Sequence, residues 1–317
     1  MNFSVDVLKN DEKALYSLRQ LYRDHGYARY KVSKFEEYDL YVHNKNFLTS
    51  EHILTFTDTN GKLMALKPDI TLSIVKNIRG DDTDTHKVYY NENVYRTSAG
   101  SDGFREIMQT GLEYIGKVDD GAVGEVLMLA QKSLALISDD YILDLSHMGF
   151  VTGLLENAGI DAEGAAELLA FIGTKNISAI RAYCAAHHVS REAENAICEI
   201  TGLYEPLELA LPRIAELVKG EQMQEAYVQL CGVLDTMQKQ DCAERLYLDF
   251  SIVNDMNYYN GIIFRGFING IPDGILSGGR YDRLLARMGK KSGAIGFAVY
   301  LDLLERLETA KESEKEA

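Results

Sequence analysis

The character of this chain changes twice along its length, and the two changes constrain the fold more than any single motif. Up to about residue 148 the runs are mostly β-prone, broken by three helical segments. From about Gly149 to Asp241 the chain is rich in Ala, Leu and Glu with helical periodicity, and from Arg245 strand-formers return. Strands lying on both sides of a helical block must reunite in one sheet, because half a sheet leaves its apolar face in water. The order of elements therefore predicts an α+β body, an antiparallel sheet flanked by helices, built from 1–148 and 242–317, with 149–241 as a helical insertion.

Local signals fill in this frame. Leu15, Leu18, Leu21 and Tyr22 recur at helical spacing until Gly26, which predicts a helix over about 11–25. Asn60-Gly61 between β-prone runs signals a hairpin, and Asp69 stands where it can cap a helix running to about Arg79. "HKVYYNENVYR" (86–96) and "IMQTGLEYIG" (107–116) read as strands joined by a loop, with a helix near 122–137 and a strand over 141–147. Beyond the insertion, "LYLDFSIV", "GIIFRGFI" and "DGILSGG" read as strands, followed by helices near 280–288 and 296–309.

The formal charge of −15 opposes nucleic acid binding, which needs a concentrated cationic surface. Cys184, Cys198, Cys231 and Cys242 form no C-x-x-C pair, so reduced thiols are expected rather than disulfides, zinc or another metal site. The N-terminus lacks the pattern of a secretory signal and no apolar run is long enough to span a bilayer, so a cytoplasmic protein without membrane contact is expected.

Three stretches carry candidate chemistry. Alternation in the strand 107–116 puts Gln109, Gly111 and Glu113 on one face, with Met108, Leu112 and Tyr114 on the other. A polar face with a glycine at its centre lets a ligand lie on the backbone, although a solvent-facing strand gives the same pattern. Tyr258 and Tyr259 in "NYYNG" read as one lip of a small-molecule pocket or as ordinary strand tyrosines. "SGGRYDRLL" (277–285) reads as a glycine turn opening a helix.

Together and in this order these stretches resemble the catalytic core of histidyl-tRNA synthetase, a class II synthetase fold, over almost the whole chain. "LKPDIT" (66–71) is similar to the family's L-R-P-E-x-T segment, and "VYRTSAGSDGFREIMQTGLEYIG" (94–116) to its motif 2. "NDMNYYNGIIF" (254–264) and "SGGRYDRLL" resemble the histidine-specific segments, "GAIGFAVYLDLL" (293–304) resembles motif 3, and "GYARYKVSKFEEYDLY" (26–41) resembles motif 1. The resemblance implies a histidine-like ligand pocket of Asp69, Thr71, Gln109, Glu113, Tyr258, Tyr259, Gly278 and Tyr281. Carboxylates suit an α-ammonium, and Glu113 with a tyrosine hydroxyl suits the two imidazole nitrogens. Arg96 corresponds to the motif 2 arginine and is expected as a remnant of phosphate binding.

The departures from the family are as informative. Asn254 and Leu303 replace two arginines that surround the α-phosphate, and Ser98 replaces a motif 2 glutamate. Removing one such donor costs about 2.7 to 4 kcal/mol, so two imply a very roughly 10⁴- to 10⁶-fold slower adenylation. No catalytic residue and no cofactor is therefore expected, nor is an anticodon-binding domain after motif 3. This pattern resembles the synthetase-like regulatory subunits of ATP phosphoribosyltransferase. It implies a short-form catalytic subunit as partner, a homodimer through motif 1, and histidine as effector. The alternatives are a free-standing paralogue that still adenylates an amino acid and an amino acid sensor with no enzyme partner.

Overall fold

The computed structural model describes residues 8–48, 52–78, 84–97, 103–253 and 259–304. The first part comprises α1 (Asn10–Asp24), β1 (Ala28–Arg29), β2 (Phe35–Glu37), α2 (Tyr38–His43) and a 3-10 turn over Lys45–Phe47. The expected hairpin follows as β3 (Thr55–Thr57) and β4 (Leu63–Leu66), with Gly61 in the left-handed region at φ 81°, and α3 (Thr71–Asn77) comes next. β5 (His86–Thr97), β6 (Phe104–Gly116), α4 (Asp120–Ala135) and β7 (Tyr141–His147) complete this part.

A run of helices follows: α5 (Met148–Asn157), α6 (Ala162–Gly173), α7 (Ile177–Ala186), α8 (Arg191–Gly202), α9 (Leu207–Ala215) and α10 (Gly220–Lys239). Asp161, Asn176 and Ser190 each accept a hydrogen bond from a backbone N–H of the first turn, which fixes where α6, α7 and α8 begin. Within this run β8 (Glu205–Pro206) breaks the helical pattern. β9 (Leu246–Leu248), β10 (Ile262–Ile268), β11 (Leu276–Arg280), α11 (Asp282–Arg287), β12 (Gly293–Tyr300) and a 3-10 turn at Leu301–Leu304 close the described chain.

Nine strands form one sheet in the order β1-β5-β6-β12-β11-β10-β7-β9-β8, and β2-β4-β3 form a small second sheet. Pairing is antiparallel through the middle of the large sheet and parallel at β1–β5 and β7–β9. One face carries the main core, in which Leu112, Phe264 and Phe297 join α1, α4 and the helical run through Leu18, Leu127, Leu154 and Leu230. The opposite face carries a second core, where Tyr90 and Ala294 meet Tyr41, Ile74, Leu284 and Leu285. Both faces are covered, so the central strands bury both sets of side chains.

Two expectations fail here. The segment 296–309 was expected as a helix, yet Gly293–Tyr300 is the strand β12, followed by a single 3-10 turn. An apolar run buried on both faces carries no period that separates strand from helix. Gly278 and Gly279 form no turn either; both lie inside β11, paired with Phe297 and Gly296.

Candidate functional site

Strands β5, β6, β12 and β11 lie side by side on the face of the second core, and between them and α3 is a cavity of about 280 Å³. Its polar wall is made by Asp69, Thr71, Arg96, Gln109, Glu113 and Tyr281, and its aromatic wall by Phe47, Tyr90, Tyr259 and Tyr300. Six of the eight residues expected to form the ligand pocket are thus brought together, with Arg96 beside them. Tyr258, Asn254 and Ser98 lie outside the described residues.

Glu113 is the centre of this arrangement. Thr71 Oγ1 donates to its Oε1 at 2.7 Å, and the Tyr281 hydroxyl donates to its Oε2. The carboxyl is 2% exposed, and burial pushes its pKa up to about 8 against the opposing pull of these two hydroxyls. Burial thus favours the protonated form of Glu113. Room for the carboxyl comes from the neighbouring strand: Gly296 pairs with Glu113, and a Cβ there would stand 1.8 Å from Oε2. Sequence reasoning missed Gly296, although the glycine inside "GAIGF" was the available signal.

Asp69 performs two tasks. Its Oδ1 accepts from the Leu72 N–H at 2.8 Å, which caps α3, and its Oδ2 lies 3.7 Å from Arg96 Nη2. Burial raises its pKa while Arg96 pulls it down. Arg96 is in turn anchored by donating from Nε to the Pro68 carbonyl at 2.6 Å. Gln109 is 3% exposed, and its Nε2 has no hydrogen-bond partner. An unpaired buried amide costs roughly 1–3 kcal/mol, so a donor held in this state at a cavity wall invites an acceptor from a ligand.

The structure revises two glycine readings. The space above Gly111 is taken by the cross-strand Tyr90, whose hydroxyl would lie 2.6 Å from a Cβ at that position. A ligand therefore meets the Tyr90 ring rather than the Gly111 backbone. Gly278 is not among the lining residues; a Cβ there would meet Gly296 O at 2.4 Å and Phe264 Cζ at 2.6 Å, so this glycine serves strand packing. The ring of Tyr259 lies over Gly279 in the same way, with Cδ1 2.6 Å from the built Cβ, and burial raises the Tyr259 pKa.

A cavity with one acid that caps a helix, one acid whose protonated form burial favours, an unpaired amide donor and several aromatic rings is equipped to bind a small amine-bearing ligand with a planar group. Among the described residues that line the cavity, the only guanidinium belongs to Arg96, and it already faces Asp69.

Comparison with known proteins places the fold in a family. The histidyl-tRNA synthetase family model matches residues 6–304. The ATP phosphoribosyltransferase regulatory subunit of Clostridium kluyveri is 30% identical over 300 residues, covering 92% of this chain and 76% of that protein. Two solved structures share the fold. The ATP phosphoribosyltransferase regulatory subunit/histidyl-tRNA synthetase of Bacillus halodurans has a TM-score of 0.85 at 24% identity, covering 97% of this chain and 81% of that one. The ATP phosphoribosyl transferase (HisG:HisZ) complex of Thermotoga maritima contributes a chain with a TM-score of 0.72 at 19% identity, covering 92% of this chain and 97% of that one. The family match over nearly all of the described fold, with the Clostridium kluyveri relative, shows that the chain belongs to the histidyl-tRNA synthetase family, in its group of ATP phosphoribosyltransferase regulatory subunits.

Proposed function

We propose that this chain is a non-catalytic regulatory subunit of ATP phosphoribosyltransferase that supports the first step of histidine biosynthesis and holds histidine in the cavity around Glu113. The observation that carries the ligand reading is Gln109, a buried amide with an unpaired nitrogen in a wall it shares with Asp69, Thr71 and Glu113. The partner is the short-form catalytic subunit, a reading supported by the names of the relatives and by the complex from which the Thermotoga maritima chain comes. Loss of adenylation is supported by Leu303, an apolar residue packed against the main core, which by resemblance stands at the motif 3 arginine. The acidic charge speaks against a nucleic acid partner, and the four free cysteines support a reducing, cytoplasmic setting.

The chain pairs with a second copy through the segment 26–41. Phe35 and Phe56 stand edge to face at 5.5 Å on the small sheet, 45% and 37% exposed, and an apolar pair of this kind is a natural contact for the same surface on another protomer.

Calorimetry with histidine tests the ligand reading. Replacing Gln109 with Leu removes a buried amide nitrogen that has no hydrogen-bond partner, so stability is expected to hold or rise. Affinity is expected to fall roughly 10- to 150-fold if that amide meets a charged ligand group. Histidine that fails to bind the unaltered chain refutes the reading, and robust exchange of pyrophosphate into ATP would restore the adenylating alternative.

A further inference from the structure

The cavity has three walls that are remote in sequence, and one short helix touches all of them. Tyr281, whose hydroxyl bonds Glu113, immediately precedes α11. At the other end of α11, Arg287 Nη2 donates to the His43 carbonyl at 2.9 Å, and its guanidinium carbon lies 5.6 Å from the centre of the Phe47 ring. His43 ends α2, and Phe47 lines the cavity. Just past α11, Lys290 Nζ donates to the Ile78 carbonyl at 2.7 Å, directly after α3, the helix whose first residue is Thr71.

The last carbonyls of a helix lack partners within it, and the negative end of the helix dipole favours a cation there. α2 and α3 are 6 and 7 residues long, too short to persist on their own propensity, so what holds their ends decides where they sit. Leu284 and Leu285, both fully buried, fix α11 itself in the second core. From these contacts we infer that α11 is a clamp, in which Arg287 and Lys290 are positioning residues that hold α2 with Phe47 and α3 with Thr71 against the sheet, and so set the width of the cavity.

The inference rests on the proposed amino acid site only for its binding arm, and hydrogen exchange on the ligand-free chain tests it separately. Arg287→Ala is expected to speed amide exchange in 38–48, and Lys290→Met in 71–78, with exchange in β6 and β12 unchanged. Arg287→Lys keeps the charge but loses the flat fork over Phe47, and is expected to restore part of the protection. Histidine affinity is expected to fall roughly three- to tenfold in each variant, through faster dissociation. Unchanged exchange in both segments overturns the clamp. Faster exchange spread evenly over the whole chain overturns it too, because the two cations would then serve general stability. If the unaltered chain binds no histidine, the ligand reading fails while the exchange result still decides the clamp.

Discussion

Glu113 and Asp144 are two buried carboxyls on one face of one sheet, and their surroundings could hardly differ more. Cross-strand pairs place them on a common side: Glu113 faces Gly296, Gly296 faces Gly279, Gly279 faces Ile263, and Ile263 faces Ser146, two residues from Asp144. Glu113 has a hydroxyl on each oxygen. Asp144, 5% exposed, has no hydrogen-bond partner on Oδ1 and sits near Asp249, which is paired with Lys175 at 3.0 Å. Burial raises both, Glu113 to about 8 and Asp144 to about 6, and Asp249 pushes Asp144 further in the same direction. The contrast teaches that burial, with the charge of Asp69 beside it, outweighs two hydroxyl donors at Glu113, whereas at Asp144 the Tyr204 hydroxyl, and after it the cations Lys175 and Arg265, limit the shift.

The sharpest way to break this comparison is to remove the space that Glu113 needs. Gly296→Ala drives a methyl group into Oε2 and the Leu112 carbonyl, 1.8 and 2.4 Å from the new carbon. Overpacking at a backbone carbonyl admits little relief, so urea unfolding is expected to show a loss of about 3 kcal/mol or more.

A second comparison uses pH. Glu113 has a folded pKa above its unfolded value near 4.5, so the folded state binds the extra proton. Its contribution is fully present below pH 4.5 and is lost as pH rises toward 8, with a slope of up to about 1.4 kcal/mol per pH unit. Glu113→Gln mimics the protonated form and is expected to flatten that part of the stability profile, leaving the variant the more stable protein above pH 8. A profile with the same slope in both proteins would show that Glu113 does not hold its proton.

Asp144→Asn supplies the smaller counterpart. The same sign applies over a narrower window, from 3.8 to about 6, so the flattening is expected to end near pH 6 and to be smaller than at Glu113. Measuring both variants in one buffer series separates the two windows.

Much of this fold was legible in the sequence because its signals were local. The helix α1, the Asn60-Gly61 hairpin and strands β5 to β7 follow from period and turn chemistry within a dozen residues. Alternation in β6 likewise placed Gln109 and Glu113 together, and the resemblance gathered Asp69, Thr71, Tyr259 and Tyr281 around them. What escaped depended on strand pairing. Tyr90 fills the gap above Gly111 because β5 lies beside β6 in that register. Gly296 matters only because β12, far along the chain, lies against Glu113. Phe47 reaches the cavity from a 3-10 turn whose sequence carries no period at all. The strand β12 was mistaken for a helix because both its faces are buried, so the alternation that marks a strand is missing.

The ends of the large sheet bear on how this chain can assemble. Its outermost strands, Ala28–Arg29 and Glu205–Pro206, are two residues each, and Pro206 offers no N–H. A long unpaired edge is a template on which another chain can add a strand, and very short edges ending in proline deny that template. At these two ends side chains rather than an open backbone ladder decide what fits.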